Sequence, residues 1–354
     1  MPHPAAPRGE PVTLRDWLPT VLRRTPGAAT PKGPAWFRRE EAIMGTAITA
    51  ELWADSPDQA EQALGLVMDE MHRIDRCMSP HRPDSELSRI NREAASHPVP
   101  LSPEMTRLID RALTFSALSE GAFDISFAAV GQHYDYRTGQ APDAATLAQA
   151  RAAIGWRGLL LDRAVGTLRF ARPGMRIDLG GFAKGHAVDN AIALLRAQGI
   201  RHAMVSAGGD SHVLGDRRGR PWSVAIRDPR REGGVVAVLP LEDVSISTSG
   251  DYERFFERDG VRHHHLLDPR TGESARAVRS VTILAPDGLS CEALSKTVFV
   301  LGPARGLALI DTLPDIDAVV IDAEGAMHVS RGLAQPLAEG AETASATSRG
   351  DHTT

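Results

Sequence analysis

This sequence predicts an α+β fold, and three observations support the prediction. Strand-like and helix-like stretches follow one another without the regular alternation of a doubly wound sheet. Several helix starts carry explicit capping residues, which separates them from the strands around them. The chain is 354 residues long with 42% hydrophobic content, enough for a sizeable core in one large domain or two interleaved lobes.

The elements follow in order. Residues 1–36 are rich in Pro, Arg and Ala and are expected to form a disordered N-terminal arm. Met44 to Trp53 alternates as a strand. Ser56, Pro57 and Gln59 then mark a helix start, and Ala60, Ala63, Leu64, Val67, Met68, Met71 and Ile74 give that helix one apolar face. A second helix begins at Ser102, Pro103 and Glu104, with Leu108, Ile109, Ala112 and Leu113 inward, and stops near Gly121. A third, alanine-rich helix is expected from Pro142 to Ile154. Leu159 to Phe170 reads as a hairpin turning at Val165 and Gly166. Met175 to Asp178 reads as a short strand, followed by a turn at Gly180 and Gly181 and a helix to Gln198. Further strands are expected at Ala203 to Ser206, Trp222 to Ile226, Val235 to Leu239, Val244 to Ser247, Val278 to Leu284 and Ala318 to Ile321. Leu294 to Val300 belongs to a buried helix, and another starts at Pro303. Residues 335–354 form a disordered tail on composition, leaving 37–334 as a single domain.

The bulk properties narrow the function. A net charge of -5 and the lack of a long basic stripe argue against a nucleic-acid surface. Cys77 and Cys291 are the two cysteines and form no CxxC pair, so dithiol chemistry has no support. No run of eighteen apolar residues predicts a transmembrane helix, and no signal-like segment opens the chain. The default compartment is the cytoplasm; a signal removed ahead of this numbering would leave the same sequence and a periplasmic protein.

Four clusters could carry chemistry. In the first, Asp178 ends a strand, Gly180 and Gly181 allow a close backbone approach, and Lys184 stands at the start of a helix whose N–H groups are free. That is a cradle for a phosphorylated ligand with a polar base nearby; the bland alternative is a tight connection with a surface lysine. The spacing is neither a Walker A loop nor a GxGxxG fingerprint. The second runs from Ser247 to Tyr252 and on through His263, His264 and His265 to Asp268 and Gly272, a turn signature. On a strand His264 and His265 would face opposite ways, so the three cannot converge on one ion; one could be a general base, or one is solvated and the other a hydrogen-bonded core histidine. The third is Glu292 and Lys296, one helical turn apart among apolar neighbours. The fourth is Gly121 to Ser126, where Phe123 and Asp124 could hold a planar ring and its polar edge, or serve as core and turn cap.

Taken together, in order and spacing, these clusters resemble the ApbE-type flavin transferases, which move FMN from FAD onto protein. The likeness runs from Ile43 to Leu301 and includes Met44 to Thr46, Ser85 to Ser88 with Asn91, Gly121 to Asp124, Ile177 to Gly181 with Lys184, Gly185 and Asp189, Gly208 to Asp210, Thr248 to Gly250, and His265 with Asp268 to Gly272. The resemblance implies a T-fold-like architecture. It implies an enzyme that takes FAD as substrate, attaches FMN through a phosphoester to Ser or Thr of an acceptor flavoprotein, and releases AMP. It implies flavin-nucleotide contacts at Met44, His81, Ala122, Phe123, Asp124, Asp178, Lys184 and Leu267. His81 stands where an aromatic is usual. His265 falls at the position proposed to activate the acceptor hydroxyl, with Lys184 at the phosphates.

The chain departs from the family pattern at the metal. The family's Mg2+ helix offers Asp and, four residues on, Thr, with a backbone carbonyl near Gly181 completing the set; here the positions hold Glu292 and Lys296. A protonated lysine cannot ligate. Lys296 is therefore expected as a charge substitute paired to Glu292, with magnesium bound weakly or dispensed with. Hydrolysis of FAD to FMN and AMP, or FAD binding with little catalysis, are the alternatives at this stage.

Overall fold

The computed structural model describes residues 33–334. Residues 1–32 of the expected arm, and the whole of the expected 335–354 tail, lie outside them. The inner edge of the arm needs correction. Ala35 and Trp36 already belong to a strand, Ala35–Ile43 (β1), paired antiparallel with Thr46–Ala54 (β2) from Ala35 opposite Ala54 to Ile43 opposite Thr46. As an edge strand, β1 fully buries only Ile43, so its sequence shows no apolar alternation. Ile48, Ala50, Leu52 and Ala54 of β2 do alternate inward. Met44 is not in the strand: it and Gly45 form the hairpin turn, with φ of 54° and 71°, the two positive values that a type I′ turn requires.

Six further strands complete an eight-stranded sheet: Ala203–Ala207 (β3), Asp210–Leu214 (β4), Val244–Gly250 (β5), Val278–Ala285 (β6), Asp317–Asp322 (β7) and Met327–Val329 (β8). They lie side by side in chain order, each antiparallel to its neighbours. The sheet is thus a meander interrupted by excursions, and the mixed helices with antiparallel sheets are the α+β class the sequence predicted.

The excursions carry the helices Pro57–Met78 (α1), Glu86–Glu93 (α2), Pro103–Leu118 (α3), Ala144–Arg151 (α4), Ala183–Ala197 (α5), Gly288–Leu301 (α6) and Pro303–Ile310 (α7). Ser56 Oγ accepts the Gln59 N–H at 3.2 Å, and all seven residues expected on the apolar face of α1 are buried. Ser102 caps α3 in the same way through Met105 N–H. Helix α4 is shorter than the expected Pro142–Ile154; it buries no side chain, so packing does not extend it beyond its Asp143 cap and Arg151. Strands Leu159–Asp162 and Thr167–Phe170 form the expected hairpin, joined by Val99–Pro100.

Helix α5 packs between α1 and α6, and α6 lies on β5 and β6. One apolar core joins the inner faces of helices and sheet, from Ile43 to Val320. At one end of the sheet, the β1–β2 turn, the Gly208–Gly209 turn and the end of β5 come together. A Cβ on Gly208 would stand 2.8 Å from Thr46 Oγ1, and one on Gly209 would stand 2.6 Å from the Thr248 carbonyl oxygen. No helix among the described residues is long and apolar enough to cross a membrane.

Candidate active site

The short strand expected at Met175 to Asp178 does not form: Met175 to Leu179 has no regular secondary structure and joins no sheet. Side chain and loop satisfy its backbone instead. Asn91 of α2 accepts the Ile177 N–H at 2.8 Å and donates to the Ile177 carbonyl at 2.9 Å, while the Asp178 N–H donates to the Ile125 carbonyl at 3.0 Å. The two bonds from Asn91 explain why that residue belongs to the motif: it fixes the segment just before Asp178. Asp178 Oδ1 then accepts the Gly180 N–H at 2.5 Å. Burial raises the Asp178 carboxyl above its ordinary value, against the lowering charges of His81, Arg176 and Arg254 around it.

Two of the N–H groups expected to be free at the start of α5 are in use. Ala183 N–H donates to the Leu179 carbonyl, and Gly185 N–H donates to Glu292 Oε2 at 2.8 Å. A carboxylate from α6 thus sits at this helix terminus, as the dipole favours. Gly185 is a helix-crossing residue: its Cβ would stand 2.3 Å from the Gly288 carbonyl oxygen. Asp189, one turn on, caps α6 by accepting the N–H groups of Gly288 at 2.6 Å and Leu289 at 3.0 Å. The glycine motif therefore sets α6 against α5, and with it Glu292 against Lys184.

An ionic cluster results. Lys184 Nζ bonds Glu292 Oε1 at 2.5 Å and also Asp210 Oδ2. Lys296 Nζ stands 3.4 Å from the same Glu292 oxygen. Ser247 Oγ donates to Asp210 Oδ1 at 2.6 Å, and Ser295 links Ser247 and Ser249 at 3.2 and 2.8 Å. Glu292 is fully buried and Asp210 nearly so. Burial alone would raise the Asp210 carboxyl, but the Lys184 and Lys296 charges outweigh it and hold it below the ordinary range. Burial alone would lower Lys184, yet Asp210 and Glu292 keep it firmly protonated. Gly181, Glu292 and Lys296 do come together: a Cβ on Gly181 would meet Lys296 Cε at 3.4 Å.

The histidines divide differently from the expectation. The strand ends at His264, so His265 is not its alternating neighbour. His264 is a core residue, with Nε2 bonded to the Ala275 carbonyl at 2.7 Å and its backbone clamped by Ser274 Oγ at 2.8 and 2.7 Å. His265 follows in a turn, where its N–H donates to the Arg254 carbonyl at 3.1 Å. Its Nδ1 is buried with no hydrogen-bond partner among the described residues. Burial, then the positive charge of Arg254, pulls His265 down to about 3, with His264 and Lys296 acting in the same sense. Leu267 is buried beside it. The turn from Asp268 to Gly272 is built by Asp268 accepting at its carbonyl from Thr271 and Gly272, and it sets the approach to this pair of residues.

Of the fourth cluster, the core reading holds. Phe123 packs its ring against Phe115 and Phe182. Both Asp124 oxygens are taken: Oδ1 by the Ser126 N–H and hydroxyl at 2.8 and 2.6 Å, Oδ2 by the Trp156 N–H at 2.8 Å. These side chains shape the loop from within, and Ser119 accepts the N–H groups of Ala122 and Phe123 at 3.1 and 3.0 Å. The exposed His81 and the turn residue Met44 stand nearer the other elements: His81 and Arg254 both act on Asp178, and Arg254 Nη2 lies 4.0 Å from where a Gly45 Cβ would be. Sequence reasoning placed Asp210, Ser247 and Ser249 inside motifs without giving them a role, and gave none to Arg254 or Ser295. Asp210 closes the Gly208–Gly209 turn, which was a usable cue; Arg254 has no cue except its place just beyond Tyr252.

This arrangement presents a carboxylate, a close-approach glycine pair, two cations and an imidazole at one end of a sheet, a set suited to gripping a diphosphate beside a proton acceptor. Known proteins resemble this chain over most of its length. The ApbE family model matches residues 44–320. A flavin transferase of Treponema pallidum is 34% identical over 316 residues, spanning 84% of this chain and 87% of its own. One from Vibrio cholerae is 31% identical over 307 residues, spanning 84% and 91%. Both bear the description FAD:protein FMN transferase. Among solved structures, an ApbE protein of Thermotoga maritima superposes with a TM-score of 0.78 at 30% identity, covering 84% of this chain and 98% of its own. The flavin transferase ApbE of Vibrio cholerae gives 0.76 at 28%, with the same coverage.

Proposed function

The chain belongs to the ApbE family, and from that premise we propose that it transfers FMN from FAD to a Ser or Thr hydroxyl of an acceptor flavoprotein and releases AMP. The acceptor oxygen bonds to the phosphorus on the riboflavin side of the diphosphate. The bond from that phosphorus to the bridging oxygen breaks, and AMP leaves with that oxygen. The hydroxyl proton passes to a base and on to the leaving phosphate or to solvent.

The observation that carries this reading is the convergence of Asp178, Gly180, Gly181, Arg254, His265 and Lys296 at one end of the sheet. His265 is neutral and can take the hydroxyl proton. Arg254 and Lys296 offset charge on the phosphates. Lys184 acts through its neighbours, fixing Glu292 and Asp210. Met44, His81, Leu267 and the backbone of Ala122 to Asp124 border the flavin moiety in this reading.

The residues present do not suit a resident magnesium ion. Each oxygen of Glu292 and Asp210 already has a protein partner, and the two lysines balance the two carboxylates. No step above is assigned to a metal.

The test is incubation with FAD and a candidate acceptor. Transfer yields acceptor heavier by one FMN and an equal amount of AMP. Free FMN with AMP means hydrolysis, and intact bound FAD means a binding protein; either result overturns the proposal.

A further inference from the structure

We infer that Lys296 is a built-in cation for the diphosphate of the bound dinucleotide, so that the site captures FAD without a divalent ion. The inference rests on the flavin-transfer reading and names how that site manages charge.

Four observations carry it. First, Lys296 is placed by the glycine turn. Its Cε, Cδ and Cγ lie 3.4, 3.8 and 3.8 Å from where a Gly181 Cβ would stand, so its stem packs against the glycine turn. Second, its ammonium is under-used. Lys184 is held by two carboxylates, whereas Lys296 has one contact among the described residues, at 3.4 Å, leaving N–H donors to spare. Its side chain keeps 19% exposure, so the charge is at the rim of the cluster. Third, each oxygen of the two carboxylates already has a protein partner. Glu292 Oε1 faces both lysines and Oε2 accepts the Gly185 N–H; Asp210 Oδ1 accepts from Ser247 and Oδ2 from Lys184. Magnesium requires near-octahedral oxygen ligands at about 2.0–2.1 Å. A magnesium ion there would stand beside two ammonium groups, with two carboxylates facing two lysines and a divalent ion in a largely buried place. Fourth, Lys296 acts on both Asp210 and His265, so its charge spans the region between the cluster and the imidazole. A diphosphate arriving there would meet the N–H donors that Lys296 has to spare.

FAD capture is measured by quenching of flavin fluorescence in EDTA and again in magnesium, with calorimetric titration of magnesium into the FAD complex. The two FAD dissociation constants should agree within about threefold, and magnesium should give no stoichiometric heat. Lys296→Met should weaken FAD capture in EDTA by about tenfold or more, the size of a lost charge-assisted bond, while Lys296→Arg should retain it. Lys296→Thr should open Glu292 and make FAD capture magnesium-dependent. Tight stoichiometric magnesium binding by the unaltered protein, or FAD capture seen in magnesium and lost in EDTA, overturns the inference and leaves the transfer reading standing. Failure to capture FAD under either condition overturns the transfer reading itself, and the inference with it.

Discussion

At the scale of single residues, His265 is the group whose chemistry depends most on its surroundings. Enclosure and the neighbouring Arg254 charge hold it near 3 in the free protein. A histidine so depressed is neutral across the physiological range, and a neutral imidazole is the form that accepts a proton. It is also a weak base in that state. An arriving diphosphate offsets Arg254 and Lys296, the same charges that depress it, so the imidazole becomes more basic once FAD is bound. The sign is testable. The pH profile of kcat/KM reports the free enzyme and that of kcat reports the complex. The acid limb of kcat/KM owed to His265 should lie well below 6.5, and that of kcat should lie at higher pH than it. Coincident limbs near 6.5 would remove this account of His265. Arg254 was not legible as a site residue, because nothing in an isolated sequence distinguishes a basic residue aimed at a site from one aimed at solvent.

At the scale of elements, the crossing of α5 and α6 sets the site. Gly185 and Gly288 meet backbone to backbone, Asp189 caps α6, and Gly185 N–H holds Glu292. Gly185→Ala would put a methyl 2.3 Å from a carbonyl oxygen, with rigid backbone on both sides. The helices must separate, at a cost of about 1–3 kcal/mol for an overpacked core. Thermal unfolding should show Tm lowered by about 2–4 °C for each kcal/mol, and an unchanged Tm would show that the crossing is looser than described. The elements themselves were largely legible. The apolar face of α1 and the caps at Ser56 and Ser102 are local signals, and they appear where the sequence put them. The segment through Ile177 read as a strand and is not one, since its backbone pairs with an Asn side chain from α2 rather than with a strand. Strand β1 was missed because an edge strand need not alternate.

At the scale of the whole molecule, the sequence revealed which residues belong together but not what each does. The motif residues near Lys184 read as a phosphate cradle. In the structure several of them are scaffold: Asn91 pins a backbone, Gly185 spaces two helices, Asp189 caps one and Asp124 closes a loop. A short glycine-rich spacing signals close approach, and the sequence alone does not say whether a ligand or another helix makes it.

The helices are also joined on their outer side, by an ionic network that carries a consequence for the entire fold. Arg73 of α1 bonds Glu70 and both oxygens of Glu104 of α3 at 2.7 to 2.8 Å. His186 of α5 meets Glu104 at 2.8 Å, and Asn190 meets Glu70 at 2.8 Å. The Arg73 hydrogen bonds, ahead of the one from His186, pull Glu104 down to about 2. A carboxyl depressed on folding stabilises the native state above its unfolded value, near 4.5, and loses that contribution as pH falls toward 2. Glu104 keeps 21% of its side chain exposed, so solvent screening trims the effect to roughly 1–2 kcal/mol. Denaturant unfolding at pH 7 should therefore show Glu104→Gln less stable by about that amount. Between pH 4.5 and 2 the gap between the two proteins should close, because protonation makes the parent resemble the variant. A gap that persists unchanged at acid pH would mean that Glu104 contributes through packing alone, and that the three helices are held together by their apolar faces rather than by this charged clasp.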